Sequence, residues 1–377
     1  EKLSPKPSLA ALKAEIQKLA LARIRELEHK ILDEYNMTVR TGIELEFFGH
    51  PADGPPFEHQ IIKTTLHRPL ATDTANWKNN FSKSSFVTFV HAEHFVGQYE
   101  VALDSFRRNL PSPSFYGAAV MARAAISLQR IIQKRTPELY PEIVAKFIAC
   151  HPRSSHEVID THVNASLWDA HKTSPLFADH RFLEEAQMGT LLIQKELLPL
   201  VMESADSLKR LGRSKNAPYY FGWDKYDADL RLNSTFKKKQ KFSLLRRFDE
   251  KIITIPLVEI MKKVDPKNLD TTPILEPVID PTRTRLENRL AGADADPALA
   301  VLMSVAGLYY GLNHKQEMQE KLQEGWKETE IIPKADHPLE AMLKHFKHSD
   351  IAKEMLGVEL HEKIVQCRKL QYVAQGK

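Results

Sequence analysis

Residues 42–48 read Gly-Ile-Glu-Leu-Glu-Phe-Phe, and this stretch decides the fold. Apolar residues at positions 43, 45 and 47 alternate with Glu44 and Glu46. A period of two predicts a β-strand, and here it places both carboxylates on one face. Carboxylates beside a core are costly unless a cation accompanies them. Because hard divalent ions such as Mg²⁺ and Mn²⁺ bind carboxylate oxygens, the strand predicts a metal site.

Three further glutamates lie in or beside segments that are otherwise apolar. Two of them bound the segment Glu93-His-Phe-Val-Gly-Gln-Tyr-Glu100, and Glu287 lies in Arg285-Leu-Glu-Asn-Arg289. The alternation of arginine with Glu287 is compatible with a plain ion-pair ladder. Beside a metal cluster the same arginines have a second interpretation, since a guanidinium fork suits phosphate or carboxylate oxygens.

The rest of the chain predicts a mixed fold. An apolar stripe from Leu9 to Ile31 predicts one helix from Ser8 to about Asn36, either an oligomerisation helix or a helix packed on its own domain. Strands are predicted at 85–91, 97–103, 161–168 and 285–290. Helices are predicted at 114–135, 138–149, 181–205, from Pro297 to about Leu312, and as short helices within 336–374. The lysine run at 237–241 is interpreted as a solvated face.

Composition excludes several classes of protein. The 377 residues are 42% hydrophobic, enough for one large domain or two smaller ones. The net charge of +4 is spread along the chain, so no nucleic-acid partner is expected. Cys150 and Cys367 lie far apart, which argues against a disulfide framework or a zinc-thiolate site. Apolar runs are too short for a membrane span, and no signal peptide is recognised, so a cytoplasmic location is expected.

Four segments in a shared order carry a family resemblance. They are Gly42-Ile-Glu-Leu-Glu-Phe-Phe48, Glu93-His-Phe-Val-Gly-Gln-Tyr-Glu100, Thr161-His-Val-Asn-Ala-Ser-Leu-Trp168 and Thr284-Arg-Leu-Glu-Asn-Arg-Leu-Ala-Gly-Ala-Asp-Ala-Asp-Pro297. Over roughly residues 41–374 the chain resembles the catalytic domain of glutamine synthetase. The resemblance implies an α+β fold in which helices surround a curved antiparallel sheet, a half-barrel. It divides the chain into an N-terminal amphipathic helix at 1–40 and a catalytic domain at 41–377, with an insertion at 233–283.

The resemblance also implies a site with two or three Mg²⁺ or Mn²⁺ ions. The first ion would be held by Glu46, Glu93 and Glu100, and the second, which bridges the phosphates of ATP, by Glu44, His162 and Glu287. Arg285 and Ser166 would lie near ATP. Arg210 and Arg289 would face the acyl substrate and its phosphate, and Arg231, or alternatively Arg246, would be a further phosphate-stabilising arginine.

The implied reaction is an ATP-dependent carboxylate–amine ligation. The carboxylate of glutamate or a related acid attacks the γ-phosphate of ATP, and ammonia or an amine then displaces phosphate from the acyl phosphate. Both steps develop negative charge on phosphoryl oxygens, which metal ions and arginines stabilise. The expected partners are ATP, a small carboxylic acid and an amine, without nucleic acid or membrane, and a homo-oligomer is compatible with the resemblance.

The chain departs from the family pattern where the family recognises its amino acid and ammonia. The family has a β-grasp domain before the first metal strand, where about 40 residues precede that strand here. Its Asn-Gly loop is replaced by Glu157-Val-Ile-Asp160, its second motif histidine by Asn164, and its flap glutamate by Asn216. The segment 233–283 is longer than the family's link. The resemblance therefore predicts nucleotide and metal binding and leaves the acid and amine open.

Two alternatives to the ligase stay open at this point. One is a non-catalytic binding or regulatory protein, favoured by the altered loops. The other keeps the ATP chemistry and changes the acceptor, as in a phosphotransferase or a ligase that acts on a protein side chain.

Overall fold

The computed structural model of the chain describes residues 8–51, 87–92, 98–104, 143–149, 159–170, 176, 180–211, 221–223, 230–233, 285–323 and 337–375. The predicted helix at 114–135 and nearly all of the 233–283 insertion lie outside these residues. The division into a helix at 1–40 and a catalytic domain at 41–377 stays a prediction.

Eight strands of the described chain form one sheet. They are β1 (Met37–Pro51), β2 (Val87–Ala92), β3 (Gln98–Asp104), β4 (Ile143–Lys146), β5 (Asp160–Asp169), β6 (Phe221–Trp223), β7 (Leu230–Asn233) and β8 (Arg285–Gly292). Their order is β2-β3-β1-β5-β8-β7-β6, and β4 pairs with the end of β1. Every pairing is antiparallel except that of β6 with β7. The predicted α+β class and antiparallel sheet are confirmed, and curvature into a half-barrel stays a prediction.

Most of the described helices lie where the sequence predicts helix, and α3 and α5 were not predicted. They are α1 (Leu9–Tyr35), α2 (His180–Leu197), α3 (Ala205–Leu211), α4 (Pro297–Asn313), α5 (Lys315–Gln323), α6 (Pro338–His348), α7 (Asp350–Leu356) and α8 (Val358–Gln375). Ser8 caps the start of α1 by accepting from the Ala11 amide, and Asn36 ends it in the left-handed conformation. Within the described residues, no helix combines the length and apolarity that a membrane crossing requires.

The apolar stripe of α1 is buried within the chain itself. Its buried side chains are Leu12, Ile16, Ala20, Ile24, Leu27 and Ile31. The helix packs on α4, α8 and β1. The prediction of a helix packed on its own domain is confirmed, since this stripe is not left for a partner chain.

Two sequence predictions differ from the structure. Residues 143–146 form β4 rather than part of a helix at 138–149, because the β-branched pair Ile143-Val144 completes a ladder with the end of β1. The helix predicted at 181–205 ends at Leu197 and continues as a 3₁₀ turn over Leu198–Leu200. Pro199 lacks the backbone N–H that a continuing α-helix needs.

Helices α2 and α4 pack in unusually close contact beside the sheet. Three glycines permit this approach: a Cβ at Gly307 would lie 2.7 Å from the Thr190 Cα, and one at Gly311 would collide with the backbone of Glu185. A Cβ at Gly189 would in turn collide with Gly311. Because α4 directly follows β8, this contact fixes the helix layer against the strand that carries Glu287.

We expect Gly311→Ala to lower the free energy of unfolding by about 1–3 kcal/mol, since the added methyl group forces the two helices apart. Alanine otherwise favours a helix over glycine by about 1 kcal/mol, so any net loss is steric. Urea unfolding followed by circular dichroism measures the effect. The exposed Lys195→Ala on α2 is the control and should change stability by less than about 0.5 kcal/mol. Unchanged stability in Gly311→Ala would disprove the close packing.

A buried ionic cluster ties the C-terminal helix to the segment that leads into α3. Arg368 on α8 is 2% exposed and donates to the carbonyls of Pro199 (2.6 Å) and Leu200 (2.9 Å). Its guanidinium lies 3.4 Å from Glu203, which also pairs with Lys13 of α1 at 2.6 Å. Burial alone would raise the pKa of the Glu203 carboxyl, but Arg368 and Lys13 outweigh burial and lower this pKa below the ordinary value.

A carboxyl group with a lowered pKa in the folded state stabilises the protein above its unfolded pKa and loses this contribution as the pH falls. We therefore expect Glu203→Gln to cost about 3 kcal/mol near pH 7, with the difference from wild type shrinking below about pH 4.3. Denaturant midpoints across this pH range test the prediction. Glu15→Gln, which breaks a part-exposed pair with Lys363, is the control and should cost less than about 1 kcal/mol. Equal effects of the two substitutions would contradict the role of Glu203.

Candidate metal centre

Strand register brings glutamates from three strands, with a histidine and an asparagine from a fourth, to one face of the sheet. Glu46 on β1 lies opposite Glu100 on β3, and Glu44 lies opposite His162 on β5. On the other side of β5, Asn164 lies opposite Glu287 on β8. Residues opposite each other in a ladder share a face, so these side chains converge.

One group within this face has the spacing of a metal site. Ligand atoms of Glu44, Glu100 and His162 all lie within 4.8 Å of one another. The His162 Nδ1 is 3.1 Å from the Glu44 Oε2 and 3.6 Å from the Glu287 Oε1. Glu287 is 1% exposed, and the other three are buried or half-buried. Carboxylates with one imidazole suit Mg²⁺ or Mn²⁺, so the residues present fit the ions that the resemblance implies.

The electrostatics of His162 show that this group attracts positive charge. Burial alone would lower the pKa of the imidazole, and Arg289 acts in the same direction. Hydrogen bonds to Asp160 and Glu44, together with the charge of Glu287, nevertheless raise the pKa of His162 well above its ordinary value. Either a proton on the imidazole or a bound cation would therefore stabilise the negative charge of these carboxylates.

Glu46 is held in place by two donors. Its Oε2 accepts from the Gln98 side-chain amide at 2.8 Å and from the Asp160 backbone N–H at 2.9 Å. Both bonds are buried and orient the carboxylate on the face that it shares with Glu100.

The predicted arginines of β8 flank Glu287. The Arg289 Nε lies 3.5 Å from the Glu287 Oε1, as an ion-pair ladder requires. The Arg285 Nε donates to the Asn164 Oδ1 at 2.8 Å, and the Asn164 amide donates to the Glu44 Oε1 at 3.0 Å. Asn164, which stands at the family's second histidine, therefore links Arg285 to a predicted metal ligand.

Ser166 is buried on β5 beside an indole, and its predicted place near ATP stays a prediction. It is 1% exposed, and its hydroxyl accepts from the Trp168 indole N–H at 2.9 Å. The Arg40 guanidinium lies over the indole, 3.7 Å from the ring centroid. Arg40 and Trp168 thus stand where β1 and β5 extend beyond the acidic group.

A serine pair joins the turn after β8 to the helix that carries Arg210. The hydroxyls of Ser204 and Ser207 each donate to the Asp294 Oδ2 at 2.7 Å. Asp294 lies between β8 and α4, so this contact fixes the start of α3 relative to the strand of Glu287.

Several predicted residues fall at or beyond the limits of the described chain. Glu93 and Arg246 lie outside the described residues. Arg210 lies on α3, and Arg231 lies on β7 opposite Glu287 of β8. The structure describes the backbone of both residues and not their side chains. The roles assigned to all of these residues stay predictions.

Sequence reasoning missed contacts that surround the acidic group. It assigned no role in the site to Gln98, Arg40 or Trp168, and it named Asp160 only as part of an altered loop. A signal was available for two of them, because Asp160 precedes His162 by two residues and Gln98 precedes Glu100 by two. Strand alternation places such pairs on one face.

Comparisons with known proteins agree with this geometry. Residues 271–374 match the sequence model of the glutamine synthetase catalytic domain. A structure described as a novel glutamine synthase homolog superposes with a TM-score of 0.60 at 16% identity, covering 94% of this chain and 71% of that one. No curated protein sequence shows a significant match.

Two structures of a protein called GmaS are also similar. The form without ligand has a TM-score of 0.59 at 14% identity and covers 99% of this chain and 76% of GmaS. A form described as an ADP complex has a TM-score of 0.60 at 14% identity, with 95% and 74% covered. Such identities establish a shared fold. Together with the match of residues 271–374 to the glutamine synthetase catalytic domain, they confirm the resemblance: over that segment in sequence, and over the described chain in fold, the protein is similar to glutamine synthetase homologues.

Proposed function

We propose that this chain is an ATP- and Mg²⁺-dependent carboxylate–amine ligase that activates glutamate or a related acid for attack by ammonia or an amine. The observation that carries the proposal is the convergence of Glu44, Glu100 and His162 within 4.8 Å, with Glu287 beside the same ring nitrogen as Glu44. The ADP complex of GmaS supports the nucleotide part, since a protein of this fold holds the product of ATP cleavage.

The described residues divide into two ligand sets under this proposal. Glu44, His162 and Glu287 would hold the ion that contacts the phosphates of ATP, and Glu46 and Glu100, with Glu93, would hold the other. When bound, the ions would neutralise the negative charge that develops on the phosphoryl oxygens.

The arginines act on the same charge from the neighbouring strand. Arg289 lies 3.5 Å from Glu287, so its guanidinium stands at the edge of the acidic group, where a phosphate or acyl phosphate would meet it. Arg285 donates to Asn164, which supports the proposal that it would face the nucleotide. Arg210 and Arg231 would complete the positive surface around the acyl group. Guanidinium groups held in place before the reaction lower its barrier without further reorganisation.

A half-buried ion-pair network would explain the arginines alone, and it explains the glutamates less well. Among the described residues, Glu44 and Glu287 approach the same ring nitrogen of His162, and Glu100 has an oxygen within 4.8 Å of Glu44 and His162. An ion-pair network alone gives no reason to bring carboxylates from separate strands this close, because like charges repel. Their convergence favours a cation site.

We expect Glu287→Gln to lower ATP-dependent turnover by at least about 100-fold, because it removes a charged ligand with little change of shape. The assay measures ADP and phosphate release with Mg²⁺ over a panel of carboxylic acids and amines. Glu15→Gln, at a part-exposed ion pair remote from the site, is the matched control and should retain wild-type rates.

The products separate the alternatives. An amide supports the ligase, and a phosphorylated product detected by mass spectrometry would instead establish a phosphotransferase. If wild-type protein binds no ATP and shows no turnover with any pair of acid and amine, the proposal is wrong and a non-catalytic role follows.

A second prediction concerns the ions themselves. We expect wild-type protein to bind at least two Mn²⁺ ions. In Glu44→Gln the affinity for one of these ions should fall at least about tenfold. Electron paramagnetic resonance counts free Mn²⁺ during the titration, and thermal unfolding supplies an independent readout because bound ions raise Tm. Identical Mn²⁺ titrations for the wild type and Glu44→Gln would show that the acidic group is not a metal site.

A further inference from the structure

Asp160 contacts both proposed ligand sets, although it belongs to neither. Its side chain is 11% exposed, and its Oδ2 lies 3.3 Å from the His162 Nε2. Its backbone N–H donates to the Glu46 Oε2 at 2.9 Å. One residue therefore contacts a ligand of each proposed ion, from the position two residues before His162 on β5.

The two nitrogens of His162 face different surroundings. Glu44 and Glu287 approach Nδ1, at 3.1 and 3.6 Å. Asp160 and Arg289 approach Nε2, at 3.3 and 3.4 Å. If Glu44, Glu287 and His162 hold one ion, Nδ1 is the ring nitrogen that would supply the ligand lone pair. A neutral imidazole carries one proton, so this binding requires the proton to be on Nε2.

Asp160 and Arg289 favour opposite tautomers of the ring. An arginine N–H can only donate, so its bond to Nε2 requires an unprotonated Nε2 and leaves the proton on Nδ1, facing Glu44. The Asp160 carboxylate can only accept when ionised, and it requires the proton on Nε2. We propose that Asp160 is the positioning residue of the metal centre: it holds His162 in the tautomer whose Nδ1 is open to a divalent cation shared with Glu44 and Glu287.

This inference rests on the proposed metal-dependent function and adds a residue to it. Partners behind a metal-binding histidine typically contribute 10- to 100-fold to metal affinity by fixing the ring and its tautomer. The backbone contact to Glu46 is independent of the Asp160 side chain. Substitution of the side chain should therefore weaken one ion and spare the other, which provides an internal control.

The test compares Asp160→Ala with Asp160→Asn in Mn²⁺ titrations of the full chain. Both remove the same negative charge, and only asparagine keeps an oxygen that accepts from Nε2–H. We expect Asp160→Ala to weaken one Mn²⁺ site about 10- to 100-fold and leave the other within error of wild type. Asp160→Asn should recover most of this loss. Circular dichroism of both variants verifies folding.

A spectroscopic measurement reads the tautomer directly. In ¹⁵N-histidine-labelled protein with Mg²⁺, the His162 signals, assigned by their loss in His162→Gln, should show a protonated Nε2 in wild type and Asp160→Asn. In Asp160→Ala the proton should move toward Nδ1. A merely structural role for Asp160 would leave this distribution unchanged.

The outcomes distinguish a failure of this inference from a failure of the proposed function. If His162→Gln leaves Mn²⁺ binding intact, the metal centre itself is wrong. If His162→Gln loses an ion while Asp160→Ala binds like wild type with an unchanged tautomer, only the role of Asp160 is overturned. If Asp160→Asn loses the ion as completely as Asp160→Ala, Asp160 is a direct ligand, which also overturns the positioning role.

Discussion

Burial of several carboxylates on one sheet face is the constraint around which this structure is arranged. The register of β1 with β3 and β5 leaves Glu46 beside Glu100 and Glu44 beside His162, so these pairs cannot be moved apart along the chain without breaking the ladders. Such charges are tolerated only where donors and cations meet them. Gln98, Asn164 and the Asp160 backbone amide supply the donors, and His162 and Arg289 supply positive charge. These polar partners lie on the strands that bury the carboxylates, while the opposite layer of helices provides an apolar core.

Local alternation predicted which carboxylates share a face of their own strand, and it did not predict that the strands converge. The pattern of residues 42–48 predicts that Glu44 and Glu46 share a face, and the same reasoning applies to Glu287 with its flanking arginines. Nothing in a single strand says that β5 lies between β1 and β8, with more than one hundred residues separating each pair along the chain. The family resemblance predicted that these strands are neighbours, because the shared order of the motifs implies the family's sheet and its strand pairing. The register then explains the convergence physically.

The sequence predictions were wrong or silent where long-range contacts decide the outcome. Residues 143–146 carry a helical pattern that pairing with the end of β1 overrides, and no local signal reveals that pairing. Asp160 was assigned to an altered substrate loop. It precedes His162 by two residues, however, so strand alternation places both side chains on the acidic face. Which ring nitrogen it meets depends on a side-chain orientation that a periodic pattern does not encode. The α1 stripe shows the opposite case: its apolar period was enough to predict a helix packed on its own domain, because burial of a continuous stripe has few solutions.

The balance of charge around His162 connects these observations to the order in which ligands would bind. The carboxylates of Glu44, Glu100, Asp160 and Glu287 lie around it, and the Arg289 Nε is 3.4 Å from its Nε2. Carboxylates gathered in this way repel the phosphates of ATP unless cations lie between them. Divalent ions bound by the carboxylates would turn this repulsion into attraction, which is strong where water is excluded. On the proposed function, nucleotide binding therefore depends on prior or simultaneous metal binding, and Asp160 adds to the negative charge that makes the ions necessary.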